Sequence, residues 1–497
     1  MSRQQNIIFL FCCLILTACS LRPEFSRPQF ISEQSLMFAN AGEEPPQVNT
    51  MEKWWERLND PVINSYIDKL LNNNLTLKQA SERVIQARER YQVQQGQLYP
   101  GISANAGASR SFTPTNSFAI SSVAGGGQTG RIYNTNLNAD ISISWQADLF
   151  GRIQSSVNAA QAGLLASEYD REAIEHTLIS DLLIRRVGIA INSQLLELAN
   201  NVASNQKLLF DTVKRRYDLG VANTGLVDVY LAEENSRSVA ADIHIFERQL
   251  AEERYQLDVL MGDLPGTTSQ SSVTFPLLPP PRDIQTCLPV DLLDRRPDLK
   301  AAELRLEAAD AEIGVALADL YPGVNIGATL GVNGDDINNL FTPEQLAGTV
   351  LANLTARLFE GGRLRANIRL QESEARELSA RYADSVLNAL REVETALKAE
   401  QELQKELLLQ QQSVNAVRNA EQLTQTRYRQ GIETLRQYLE VQRRRYLIEQ
   451  NWLRLQQQVW INRINLYLAL GGDWIIKEKY SQNVNDLCRS VIEDNVT

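Results

Sequence analysis

Few side chains in this 497-residue chain have a type and spacing suited to covalent chemistry. The two histidines, His176 and His244, each fall within a helical pattern. Neither belongs to an HExxH, a CxxC or any paired-ligand spacing that would hold a metal. Gly125 to Gly130 fits GxGxxG, but strand-like sequence lies on both sides and no helix follows to receive a phosphate, so it reads as an outer loop. Trp145, near the end of an alternating stretch, reads as an interface or packing residue. All of this argues against an enzyme and against any metal or organic cofactor. The spacings that remain are electrostatic and conformational. Glu440 and Arg443 stand three apart on one helical face, where they form either an ordinary solvated ion pair or one with a task. Gly220 in Leu219-Gly220-Val221 and Gly431 in Gln430-Gly431-Ile432 interrupt long helical patterns, where a tight turn with positive φ suits glycine.

The N-terminus carries the address. Arg3 supplies a positive charge, Ile7 to Leu16 an apolar run, and Leu16-Thr17-Ala18-Cys19 a close with small residues. LTAC resembles the lipobox of bacterial lipoproteins. That resemblance implies cleavage before Cys19, acylation of its thiol and new amine, and loss of Cys12 and Cys13, with Ser20 pointing to the outer membrane of a Gram-negative cell. The covalent lipid on Cys19 is the one attached group expected. Only Cys287 and Cys488 then remain, in an oxidising compartment and in irregular segments, either bridged or as two separately buried thiols. With 49 basic against 60 acidic side chains and no basic stripe interleaved with aromatics, a nucleic-acid surface is not expected.

The elements that must position these residues come in two copies. Leu137, Ala139, Ile141, Ile143, Trp145 and Ala147 alternate with Asn138, Asp140, Ser142, Ser144 and Gln146, a strand with one apolar face. After Leu149-Phe150-Gly151-Arg152 the period becomes helical as far as about Tyr217, a helix on the order of 100 Å long. ADLFGR at 147 has a counterpart in ARLFEGGR at 356, QLYPGISANAG at 97 in DLYPGVNIGAT at 319, RRYDLG at 215 in TRYRQG at 426, and VLMGD at 259 in LALGGD at 468. The chain is therefore an internal duplication, each half reading helix, strand, strand, very long helix, helix. Leu403, Leu407, Val414 and Val417 step four-three like a coiled-coil seam, with Gln410 sharing it.

The expected organisation is a signal peptide over 1–18, a lipidated tether over 19–53, and a first repeat over 54–264 with strands at about 102–113 and 133–149. A proline-rich linker over 265–289 leads to a second repeat over 290–472, with strands at about 324–333 and 348–359, and a tail over 473–497. The first helix is expected to run from Asp60-Pro61 to about Gln97, where Tyr99-Pro100-Gly101 breaks it. No run of about 18 apolar residues follows the signal, so any membrane crossing falls to strands. Four amphipathic strands either pack in a soluble sheet or join an oligomeric barrel, because four cannot close a barrel alone in lipid. Three copies would supply twelve.

The lipobox, the duplication, the YPG turns, ADLFGR, RRPDL at 295 to 299 and RYRQG with its downstream YLEVQRR together resemble the TolC-type outer membrane factors, most of all their OprM- and NodT-like lipoprotein branch. The resemblance spans about Trp54 to Gly472. It implies a mostly α-helical homotrimer with a twelve-stranded membrane β-barrel continued by a periplasmic α-helical barrel. It also implies the role of passive exit duct for drugs or other small molecules, delivered by an inner-membrane RND-type transporter through a periplasmic adaptor protein. By the same resemblance the turns at Gly220 and Gly431 are adaptor contacts. Glu440 matches the acid at the periplasmic aperture, Arg443 is its tie, and Asp228 is a weaker aperture candidate in the first repeat. Arg436 stands where the family places a hydrophobic gate residue, a departure from the pattern. The competing reading is a lipid-anchored periplasmic coiled-coil protein without a pore.

Overall fold

The computed structural model describes residues 25–28, 55, 62–114, 131–221, 224–267 and 291–471. Cys19, Cys287, Cys488, the signal peptide, the 125–130 glycine string, the tail and most of the tether and linker lie outside them. The order is α1 (Ile63–Asn73), α2 (Leu75–Gly96), β1 (Gly101–Pro114), β2 (Arg131–Ala147), α3 (Arg152–Asp218) and α4 (Leu226–Leu260). Then come α5 (Asp291–Arg295), α6 (Pro297–Ala318), β3 (Gly323–Gly334), β4 (Leu346–Thr355), α7 (Arg363–Arg429) and α8 (Leu435–Ala469). The duplication is visible in lengths: α2 and α6 have 22 residues each, α3 and α7 have 67, and α4 and α8 have 35.

The described residues fall into two compact units. One gathers 84–167 and 302–381 and holds a single antiparallel sheet in the order β1-β2-β3-β4. The strands lie within two residues of expectation except that β4 stops at Thr355, short of Phe359, while β2 stops at Ala147, short of Leu149. The ladder ends there because β3 begins at Gly323, paired with Thr355, and the preceding Pro322 has no N–H to extend it. The duplicated motifs make the joints between sheet and helices. Asp319 accepts from Arg152 at 3.0 Å and pairs with Arg357 at 3.5 Å, so one carboxylate serves both strand-to-helix junctions. Phe150 stacks on Tyr321 at 4.8 Å, and Trp145 donates its indole N–H to the Leu98 carbonyl at 3.0 Å.

The other unit takes in 62–83, 168–301 and 382–471 within its described span. Its core joins Ile63, Ile67 and Leu70 of α1 to Leu182, Leu183 and Ile191 of α3, Phe246 and Leu257 of α4, and Trp460 and Ile464 of α8. One expectation fails here: α1 and α2 are separate helices. Asn74 breaks the pattern with an extended ψ of 126°, and its buried amide is used on both sides. Its Oδ1 accepts from Leu77 N–H at 2.9 Å, capping α2, while its Nδ2 donates to the Leu260 carbonyl at the end of α4 at 2.8 Å. Arg463, 1% exposed, is ion-paired to Glu400 across α7 and α8. In RRPDL, Arg296 grips Asp298 at 2.8 Å, Glu392 of α7 at 2.7 Å and the Ala469 carbonyl at 3.3 Å. The four-three seam of α7 is real: Leu403, Leu407 and Gln410 are half-buried, and Val414 and Val417 are fully buried.

Candidate functional site

The register fixes which side chains share a face of the sheet. Ile102 lies opposite Ile143, Ala104 opposite Ile141, and Ala106 opposite Ala139. Across the next pair Trp145 meets Ile326, Ile143 meets Ala328, Ile141 meets Leu330 and Ala139 meets Val332. Ala328 then meets Val350, and Val324 meets Leu354. All are on one face. In a single chain this face is bare, with Ile102 71%, Val350 83% and Leu354 71% exposed. A contiguous apolar sheet surface left open on both edges demands a covering medium. The opposite face carries Ser103, Asn105, Asn138, Asp140, Ser142, Asn325, Thr329, Asn353 and Thr355. Its side chains bond laterally: Ser103 Oγ lies 2.8 Å from Ser142 Oγ, and Asp140 accepts from Asn105 at 3.2 Å and Asn138 at 3.3 Å. Apolar on one face and polar on the other, broken on the polar face only by the large side chains Leu351 of β4 and Ile132 of β2, is the pattern of a membrane barrel wall around a wet lumen. Asp140 is the one ionisable side chain on the polar face of the four strands, where the alternation in the sequence places it without singling it out.

The two helical hairpins end in matching turns. At Gly220, with φ 67°, the Gly220 N–H donates to Tyr217 O at 2.9 Å and Val221 N–H to Arg216 O at 3.0 Å. At Gly431, with φ 73°, Gly431 N–H donates to Tyr428 O at 3.0 Å and Ile432 N–H to Arg427 O at 2.9 Å. Both are Schellman terminations, which a residue with a Cβ adopts only under strain. Below the turns Val213, Val229, Ala232, Leu435 and Leu439 form a small buried cluster, so the two hairpin ends are packed together. Tyr428 stacks on Tyr438 at 5.4 Å, and a side-chain chain runs from Gln206 to Gln442 (2.9 Å), to Tyr438 (2.8 Å) and on to Gln425 (2.9 Å). Burial raises the Tyr438 hydroxyl above its ordinary pKa, and burial likewise raises Tyr428, so both stay neutral donors and acceptors.

Glu440 and Arg443 do pair, at 2.8 Å, and Arg444 Nη2 stands 4.0 Å from the other carboxylate oxygen. Arg436 is exposed on the same side of α8. One carboxylate therefore meets two guanidiniums, with Arg436 one turn earlier on the same face, which makes this stretch locally basic. Asp228 has a different employment. It is the third residue of α4, and its Oδ2 accepts from the Gly225 N–H at 2.9 Å, closing the helix N-terminus. The loop from α3 to α4 is longer than that from α7 to α8, so Asp228 is level with Gln437 of the second repeat, and Glu440 with Leu231. Gly220, Gly431, Asp228, Glu440, Arg443 and Arg436 thus belong to one end of one unit, with Asp228 committed to its helix. Of the histidines, His244 is exposed with Nδ1 3.0 Å from Glu247, and among the described residues no three His, Cys, Asp or Glu converge on a metal-sized site.

Comparison with known proteins agrees with this geometry. The sequence profile described as Outer membrane efflux protein matches residues 66–263 and 288–472. The chain is similar to the outer membrane protein OprJ of Pseudomonas aeruginosa, 28% identical over 477 residues, with 94% of this chain and 95% of the relative covered. It is 31% identical over 428 residues to the pyoverdine export outer membrane protein OpmQ of Pseudomonas putida, covering 85% and 88%. The solved structure of the Campylobacter jejuni CmeC outer membrane channel superposes with a TM-score of 0.86 at 20% identity over 95% of this chain and 98% of that one, a likeness of fold.

Proposed function

The chain belongs to the outer membrane efflux protein family, and from that premise we propose that it acts as a homotrimer joined through a periplasmic adaptor to an inner-membrane pump of the RND type. It is an outer membrane duct for efflux. The observation that carries the assembly is the bare apolar face of a four-stranded sheet with two unpaired edges, β1 and β4. Lipid tolerates neither an open edge nor four strands alone, and three copies edge to edge supply twelve strands and no edge. The polar faces then line the lumen, and the paired helices extend the passage into the periplasm. Drugs or other small molecules pass without chemistry, and the pump chooses them.

In this reading the turns at Gly220 and Gly431 are the adaptor contacts. Glu440, with Arg443, Arg444 and Arg436, forms the periplasmic aperture, where the arginines hold the acid in the closed state. Cys19 carries the lipid. Gly431→Trp should abolish adaptor crosslinking, and unchanged crosslinking would remove those contacts. The test of the whole is the mass of the mature protein from outer membranes in mild detergent, by light scattering corrected for bound detergent. A mass of three chains is expected. A folded monomer would remove the barrel and restore the pore-free coiled-coil alternative.

A further inference from the structure

The apolar face of the sheet carries charge in one place. Beyond Ala108 of β1 and Leu137 of β2 the outward positions are Arg110 and Phe112 on one strand and Thr135, Tyr133 and Arg131 on the other. Phe112 lies directly opposite Tyr133, with ring centroids 6.2 Å apart. The Arg110 guanidinium carbon sits 4.9 Å from the Tyr133 ring centre and that of Arg131 5.0 Å from the Phe112 ring centre. Both rings are more than half exposed. Among the described residues neither guanidinium has a carboxylate partner. From Gly101 to Ala139 the sequence contains no Asp or Glu, and the acids of the strand ends, Asp335, Asp336 and Glu344, all belong to the other hairpin.

Depth places this cluster. Leu137 to Ala147 is ten residues, about 34 Å along the strand, or about 26 Å along the membrane normal at a 40° tilt, the height of the apolar band of such barrels. Arg110, level with Thr135, then stands about 5 Å beyond the band, the two rings about 10 Å and Arg131 about 16 Å beyond it. Trp145 marks the opposite, helix-side border, so the cluster faces the outer leaflet, whose lipid is a phosphorylated glycolipid. Lying over the rings braces each guanidinium while leaving its N–H fork available to phosphate oxygens.

We propose that Arg110 and Arg131, braced on Tyr133 and Phe112, form a lipid-facing clamp for the phosphates of outer-leaflet lipid A. The proposal rests on the outer membrane placement of the sheet, and its test is independent of transport. The full-length protein, purified in mild detergent, is mixed with lipid A or with its dephosphorylated form, and retained lipid is counted by native mass spectrometry. Wild type should keep lipid A in preference to the dephosphorylated form. An Arg110→Gln, Arg131→Gln double variant should lose about 10- to 30-fold of that retention, from two surface cations acting on anionic lipid, while single-channel conductance stays at the wild-type value. Equal uptake of the dephosphorylated form by wild type would overturn the clamp, without recourse to any variant. So would undiminished retention by a variant that still migrates as the wild-type oligomer, or displacement of lipid A by millimolar inorganic phosphate, which would mark a free-anion site.

Discussion

Replacing Leu330 by arginine should prevent assembly, while the same change one residue earlier, at Thr329, should be tolerated. Leu330 lies on the interior strand β3, opposite Ile141 on one side and Gly348 on the other, with 57% of its surface exposed. It is six residues beyond Val324, about 20 Å along the strand and about 15 Å along the normal, close to the middle of the apolar band. An arginine at that depth costs about 2–4 kcal/mol. Three copies in one barrel make that about 6–12 kcal/mol, comparable with the whole stability of a typical domain. Thr329 points to the polar face, where an arginine reaches water and escapes that depth-dependent penalty. The assay is the yield of heat-stable oligomer in the outer membrane fraction, followed by urea unfolding of whatever assembles. Leu330→Arg should yield little or none and Thr329→Arg nearly the wild-type amount. If Leu330→Arg assembled normally, or the two variants changed places, the assignment of faces would be wrong.

Asp140→Asn should lower the cation preference of the open channel, since it removes the one carboxylate each chain places on the polar wall; an unchanged reversal potential in a salt gradient would count against a lumenal Asp140. Glu440→Ala should move selectivity toward anions, because Arg436, Arg443 and Arg444 remain, and should alter stability by less than about 0.5 kcal/mol, as befits a half-exposed pair. Gly431→Ala should destabilise by about 1–2 kcal/mol through its positive φ alone, since an added Cβ meets nothing within 4 Å; the denaturation midpoint reports it. Burial raises the Asp181 carboxyl above its ordinary range against the opposing pull of Arg185. The folded state therefore holds that proton more tightly than the unfolded chain. The associated stability is present at acid pH and is lost as pH rises from the unfolded carboxylate value through the raised one. Asp181→Asn should abolish that fall, and a wild-type slope in urea midpoints between pH 4 and 7 would contradict the assignment.

The sheet was legible because its side chains carry a strict two-residue alternation over long strands, and duplicated motifs marked where strand gave way to helix. The overshoot at Leu149 and Phe359 has a local origin: alternation continues for a few residues after the hydrogen-bonding partner has run out. The break at Asn74 is signalled by the run Asn72-Asn73-Asn74, a residue type that favours caps and turns; what the sequence could not show is its second partner, a carbonyl at the far end of α4, nearly two hundred residues on. The extra residues at Ala222 to Gly225 already make Asp228 a weaker counterpart of Glu440 in the sequence; only the structure shows its carboxylate bound to the Gly225 N–H at the start of its helix. Arg110 and Arg131 carry no signal in the sequence, and only the register brings their guanidiniums over each other's aromatic neighbours.

Asp319 shows how far the halves have drifted from being copies. The first repeat has Gln97 at the matching place in its YPG turn, and that amide merely bonds back to Gln94. One acid, in the second repeat alone, anchors both Arg152 and Arg357. The two strand-to-helix joints of each protomer are thus tied at one carboxylate, so that losing Asp319 would loosen both at once.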